Sequence, residues 1–152
     1  MLIRRFLPLV AAAAVVIGMH QLFDLWQGFA GTDLSMPAGR VRELIALEAK
    51  SSALIVADAL LVASAIAWDS PRWIRRLGLA QIPIALFLLL ASPLFLGDSG
   101  SVASSFAGPE LSAFRVVVAR TLINYLGVGV GLLLAARSLL ALTRQKMAAP
   151  LT

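Results

Sequence analysis

No cysteine occurs in the chain, which excludes disulfides, thiol catalysis and cysteine-ligated metals and leaves the redox compartment open. Histidine and tyrosine occur once each, and only 14% of residues are charged. A lone histidine rules out a bis-histidine haem within one chain, and no spacing of histidine with carboxylates suits a metal. There is no HExxH, no Ser/His/Asp set and no phosphate loop, so no catalytic residue is assigned and an enzyme is disfavoured. Charge is also too scarce for a water-facing surface. With 60% hydrophobic residues in 152 and a mean hydropathy of +0.90, the chain is more apolar than a soluble domain of its size can hide. The composition predicts an all-α fold, an integral membrane four-helix bundle in a single domain spanning residues 1–152.

The apolar stretch from Glu43 to Trp68 anchors that reading. From Ser51 to Trp68 it carries one ionisable group, Asp58, and at 1.5 Å per residue it crosses most of a core about 30 Å thick. A carboxyl group inside a bilayer costs about 2.5–3.5 kcal/mol on insertion scales, so Asp58 must face protein or water. Helices are expected at about 6–25, 37–68, 77–96 and 110–142. The first follows Arg4 and Arg5; the pair of arginines and the alanine block at 11–14 also fit a signal peptide, but the apolar run is long for one. Pro37 and Pro109 mark helix starts. Residues 26–36 and 97–109 are read as outer loops, 69–76 as a short loop, and the polar tail from Thr143 as frayed. Pro83 and Pro93 are expected to bend the third helix.

The net charge of +5 does not imply nucleic acid, because the basic residues sit at segment ends rather than on one polar face. It does imply an orientation. With the amino terminus inside, Arg4, Arg5, Arg72, Arg75, Arg76, Arg137, Arg144 and Lys146 face the cytoplasm, against Arg40, Arg42, Lys50 and Arg115 outside. The positive-inside rule then places both termini in the cytoplasm and the protein in a bacterial inner membrane. On the outer side, Glu43, Glu48 and Lys50 lie among nearly cancelling charges read as outer-face ion pairs. Trp26, Trp68 and Trp73 fall at predicted interfaces as anchors.

The intramembrane polar residues are His20, Asp58, Gln81, Arg120, Asn124 and Tyr125. His20, Asp58, Arg120 and Asn124 are all expected in the outer half of the membrane, close enough to meet. Arg120 and Asn124 share a helix face, so an Asp58–Arg120 ion pair flanked by Asn124 would satisfy both charges. Such a pair would either lock the bundle or form a substrate, proton or quinone site. Gly127, Gly129 and Gly131 resemble a glycine zipper that admits a second helix. Shifting the chain by 72 residues lays Pro37 on Pro109, Gly28 on Gly100 and Leu60-Leu61 on Leu132-Leu133. A duplicated helical hairpin would then place Glu48 and Arg120 at equivalent depths in a two-plus-two bundle.

The segments RRF before the first helix, LFDLWQGF at its far end and GTDLS leading into the second resemble the small four-helix bacterial membrane proteins of the DoxX-like group. The resemblance implies a four-helix membrane fold and carries over no functional residue. Three functions fit the sequence. The first is a non-catalytic subunit or accessory protein of a larger membrane complex, with a membrane protein partner or a second copy. The second is a small transporter or channel using the buried Asp/Arg/Asn cluster. The third is a quinone- or cofactor-binding subunit of an oxidoreductase. No cofactor is expected in the chain alone; quinone or haem would require a partner subunit.

Overall fold

The computed structural model describes the backbone of residues 2–148 and the side chains of residues 6–148. Four helices account for nearly all of it: α1 (Leu2–Gly31), α2 (Pro37–Ala67), α3 (Pro71–Ala103) and α4 (Gly108–Ala148). Each is long and apolar enough to cross a membrane. No strand occurs among the described residues. The connections are only a few residues long, so consecutive helices run antiparallel. Arg4 and Arg5, which enter the orientation argument, have side chains outside the described residues, as does the end of the tail, 149–152.

Pro37 occupies the first turn of α2 and Pro71 that of α3, where a missing N–H costs nothing and the fixed φ favours the helix. The second helix matches the expected 37–68 to within a residue, but the other three expected helices are too short. The predicted loop 69–76 is helical from Pro71, and the Ser/Gly-rich stretch from Gly97 to Ala103 stays helical. Tertiary contact outweighs its weak propensity: Asp98 and Ser99 are buried. The helix α1 runs six residues past the expected end at 25, and α4 continues through Ala148. Pro8, Pro83 and Pro93 lie inside helices that continue through them.

Packing follows the logic of lipid rather than water. Many buried positions are small, including Ala14, Ala57, Ala85, Ala136, Ser64 and Thr121, while Leu9, Val16, Met19, Leu90 and Ile123 are more than 60% exposed. Hydrocarbon already solvates the large side chains, so association depends on close backbone approach. Gly129 sits against Leu89 and Ala85 of α3, and Gly78 against Ala136 and Leu139 of α4. A larger cluster around Phe95 and Tyr125 joins α2, α3 and α4.

The bundle is not closed. The helix α1 packs on α2 alone among the described residues, and α4 packs chiefly on α3 and touches α2. The most extensive seams lie within the two hairpins, α1 with α2 and α3 with α4, and the hairpins meet chiefly through α2 and α3. Glu48 and Arg120, offset by 72 residues, do touch.

Counting up from Trp68, Asp58 lies about 15 Å along α2; counting up from Trp73, Gln81 lies about 12 Å along α3. In a core about 30 Å thick with those tryptophans at one interface, both sit near the centre, and Glu48 reaches the opposite boundary. Beyond it, the helices form a collar tied by Arg40, whose Nε and Nη2 donate to Asp98 at 2.7 and 2.8 Å. Arg40 Nη1 also donates to the carbonyls of Leu34 and Ser35. In the α1–α2 loop, the Ser35 N–H and hydroxyl both donate to Asp33 Oδ1, holding the Asp33 carboxyl below the usual carboxylate range. That contribution is complete above the unfolded value and fades as pH falls through the folded one.

A Cβ on Gly39 would lie 2.1 Å from the carbonyl oxygen of Asp33, whereas one on Gly127 or Gly131 would meet nothing within 4 Å. Gly39→Ala should lower stability in mild detergent by about 1–3 kcal/mol, while Gly131→Ala should be neutral or raise it by up to about 1 kcal/mol. Equal shifts in unfolding midpoint would contradict the loop geometry. For the collar, Asp98→Asn and Arg40→Gln should each cost about 1–3 kcal/mol, and the double variant clearly less than their sum.

Candidate functional site

The polar residues expected to gather into one cluster separate into three groups at different depths. His20 Nδ1 lies 3.5 Å from Asp24, which also faces Lys50 Nζ at 3.6 Å. The His20 side chain is largely exposed. This group ties α1 to α2 and lies away from the other two.

The second group sits between α2 and α4. Buried Glu48 accepts a short hydrogen bond from Asn124 Nδ2 and a longer one, 3.4 Å, from Arg120 Nη2. The spacing of four places Arg120 and Asn124 on one face of α4, as expected, but the carboxylate they meet is Glu48 and not Asp58. The predicted Asp58–Arg120 pair is therefore corrected: the two residues lie on different levels, because α2 extends well past the bilayer and carries Glu48 to the level of Arg120. Beside this group Tyr125, fully buried, donates its hydroxyl to the carbonyl of Leu44. Of the expected outer-face ion pairs, Glu48 and Lys50 have cationic or anionic partners, whereas buried Glu43 accepts instead from the Thr32 hydroxyl at 2.6 Å.

The third group holds Asp58. Its Oδ2 accepts from Gln81 Nε2 of α3 at 2.6 Å. Among the described residues no lysine, arginine or histidine nitrogen lies within 4 Å of the Asp58 carboxylate. Gln81 is only 2% exposed, and its Oε1 is buried without a hydrogen-bond partner. The buried hydroxyls of Ser99 and Thr121 share that condition, but the Gln81 amide borders open space. A groove of about 540 Å³ runs between α2 and α4, with Asp58 and Gln81 on its wall. Gly127, Gly131, Ala135 and Ser138 line its α4 side at the helical spacing of one face, and Ile55, Ala59 and Val62 line its α2 side. The two helices touch at Glu48 and share a second apolar cluster, Ala65 and Leu139 around Ile74 of α3, towards the end bearing Trp68, so the groove lies between the two.

The three zipper glycines therefore do different things. Gly129 packs inside, on α3, while Gly127 and Gly131 face the groove with nothing against them. Sequence reasoning marked Gln81 as polar but did not pair it with Asp58. The available signal was the similar distance of the two residues from Trp68 and Trp73, about 15 and 12 Å along their helices. Among the described residues no group of three histidine or carboxylate side chains is placed to hold a metal.

No protein-family model, no curated protein and no solved structure matches this chain.

The Glu48 group separates two energetic terms. Asn124 makes the short contact with a buried carboxylate, whereas the Arg120 side chain is 70% exposed. Asn124→Ala should cost about 1.5–3 kcal/mol, the range for hydrogen bonds to charged groups. Arg120→Ala should cost less than about 1 kcal/mol, as for exposed ion pairs. Denaturation in mild detergent checks the order, and a larger loss for Arg120→Ala would overturn it.

Proposed function

We propose that the protein is a non-catalytic integral membrane subunit or accessory protein that holds a guest within the bilayer, in the groove between α2 and α4. One observation carries this reading. At the bilayer centre, where an unpaired polar group is most costly, Asp58 has only a neutral amide beside it, that amide's own oxygen is buried without a hydrogen-bond partner, and an open groove runs along the pair. A purely structural pair would be expected to close on itself. The glycine edge agrees, since Gly127 and Gly131 weaken α4 by up to about 1 kcal/mol each relative to alanine and gain no contact within the chain.

The arrangement binds rather than reacts: a carboxylate and an amide in an apolar groove include no nucleophile with an adjacent base. The same reading places the protein in a bacterial inner membrane with both termini cytoplasmic, on the strength of Arg72, Arg75, Arg76, Arg144 and Lys146 at the terminal end. Arg76 lies over the Trp73 ring at 5.0 Å, an interfacial pairing that fits this placement. The DoxX-like resemblance adds the expectation of a small bacterial membrane protein. His20, exposed and bound to Asp24, lends nothing to a haem-ligating role.

Purification of tagged protein from its own membrane in gentle detergent, followed by intact-complex mass determination and an absorption spectrum, tests the reading. A stoichiometric guest, protein or small molecule, is expected with the wild type. Gly131→Leu, which fills the groove without touching the interior, should lose it at least tenfold. A clean, unliganded species from both would sink the proposal, as would a guest retained equally by the plugged variant.

A further inference from the structure

The groove's chemistry narrows its guest, an inference that rests on the groove being the working site. With Asp58 ionised, Gln81 must turn its N–H towards the carboxylate, because an ionised carboxylate only accepts. The observed bond has that sense. The second Asp58 oxygen then remains to accept, with one uncompensated negative charge, while Gln81 Oε1 is buried. The guest must therefore bring a positive charge and an N–H donor. A hard metal cation fits poorly, since calcium and magnesium need six or more oxygens and the surrounding lining is chiefly aliphatic. A neutral alcohol brings one donor and no charge.

From Gly127 to Leu139 the groove follows α4 for about 18 Å. Its volume of about 540 Å³ falls in the range of about 300–1,000 Å³ typical of pockets for small organic ligands. We propose that the groove binds an amphiphilic primary or secondary organic ammonium ion. Its ammonium N–H donates to Asp58, which Gln81 holds in place, and its apolar body lies along the Gly127, Gly131 and Ala135 edge.

The test uses the full chain in nanodiscs of zwitterionic lipid, with 2-(1-naphthyl)ethylammonium as the probe and equilibrium dialysis against empty nanodiscs. Its N-trimethyl derivative keeps the charge and loses the donors; 2-(1-naphthyl)ethanol keeps one donor and loses the charge. Saturable binding of the primary ammonium is expected, with both analogues at least about tenfold weaker, the loss of a charge-assisted hydrogen bond. Asp58→Asn should weaken it by about tenfold or more and Gln81→Leu by about three- to tenfold, while Gly131→Leu should abolish it. Unfolding midpoints verify that Gly131→Leu, whose new side chain enters open space, is folded. Partitioning no greater than into empty nanodiscs, or saturable binding indifferent to Asp58→Asn, overturns the assignment. If the ammonium fails while Gly131→Leu still expels a native guest, such as a partner helix bearing a lysine, the ammonium assignment falls and the groove reading stands. If neither occurs, both fall.

Discussion

Close approach of helix backbones is the constraint on which this structure depends. Lipid gives large aliphatic side chains no reason to leave the surface, so the contacts are made where side chains are short: Ala14 and Ala57 between α1 and α2, Gly129 against Leu89, Gly78 against Leu139. Dispersion and a few interhelical hydrogen bonds then supply what the hydrophobic effect supplies in water. The pattern explains why so much of the chain's apolar surface faces outward and why the two largest fully buried side chains, Tyr125 and Phe95, are confined to one level.

That level divides the molecule. Above it, Arg40 with Asp98, Glu43 with Thr32, and Glu48 with Asn124 tie the helices at or beyond the membrane boundary, where charged hydrogen bonds are affordable. Below it a gap opens between α2 and α4, and Asp58 with Gln81 is left at a depth where each polar atom is expensive. Further down, Ala65, Ile74 and Leu139 gather α2, α3 and α4 again and Lys146 pairs with Asp69, so the groove is a window between two joints.

The class and the four helices were legible from composition and apolar run length alone. Helix ends were less so, because Gly97, Ser99, Gly100 and Ser101 carry a loop's propensity but a helix's packing, and propensity was the signal being read. Pro71 should have been weighed as Pro37 and Pro109 were; three arginines after it suggested a loop instead. At the site, the i,i+4 pairing of Arg120 and Asn124 is visible in sequence because a helix face is a local property. Their partner is indicated only by the 72-residue offset, which sets Glu48 level with Arg120; Asp58 competes for the same role because it is the carboxylate inside the apolar run. The Gln81–Asp58 contact spans two helices and depends on their register.

The attachment of α1 through α2 alone has a consequence for how the molecule comes apart. The helices α2, α3 and α4 share a cluster around Phe95 and Tyr125, but the seam between α1 and α2 is no slighter than the one that joins α2 to that cluster. Each helix keeps its own backbone hydrogen bonds in lipid, so what α1 loses on parting from α2 is side-chain contact alone. The leading helix is thus one arm of a hairpin hung on the rest of the molecule through α2, and whatever moves α2 carries α1 with it.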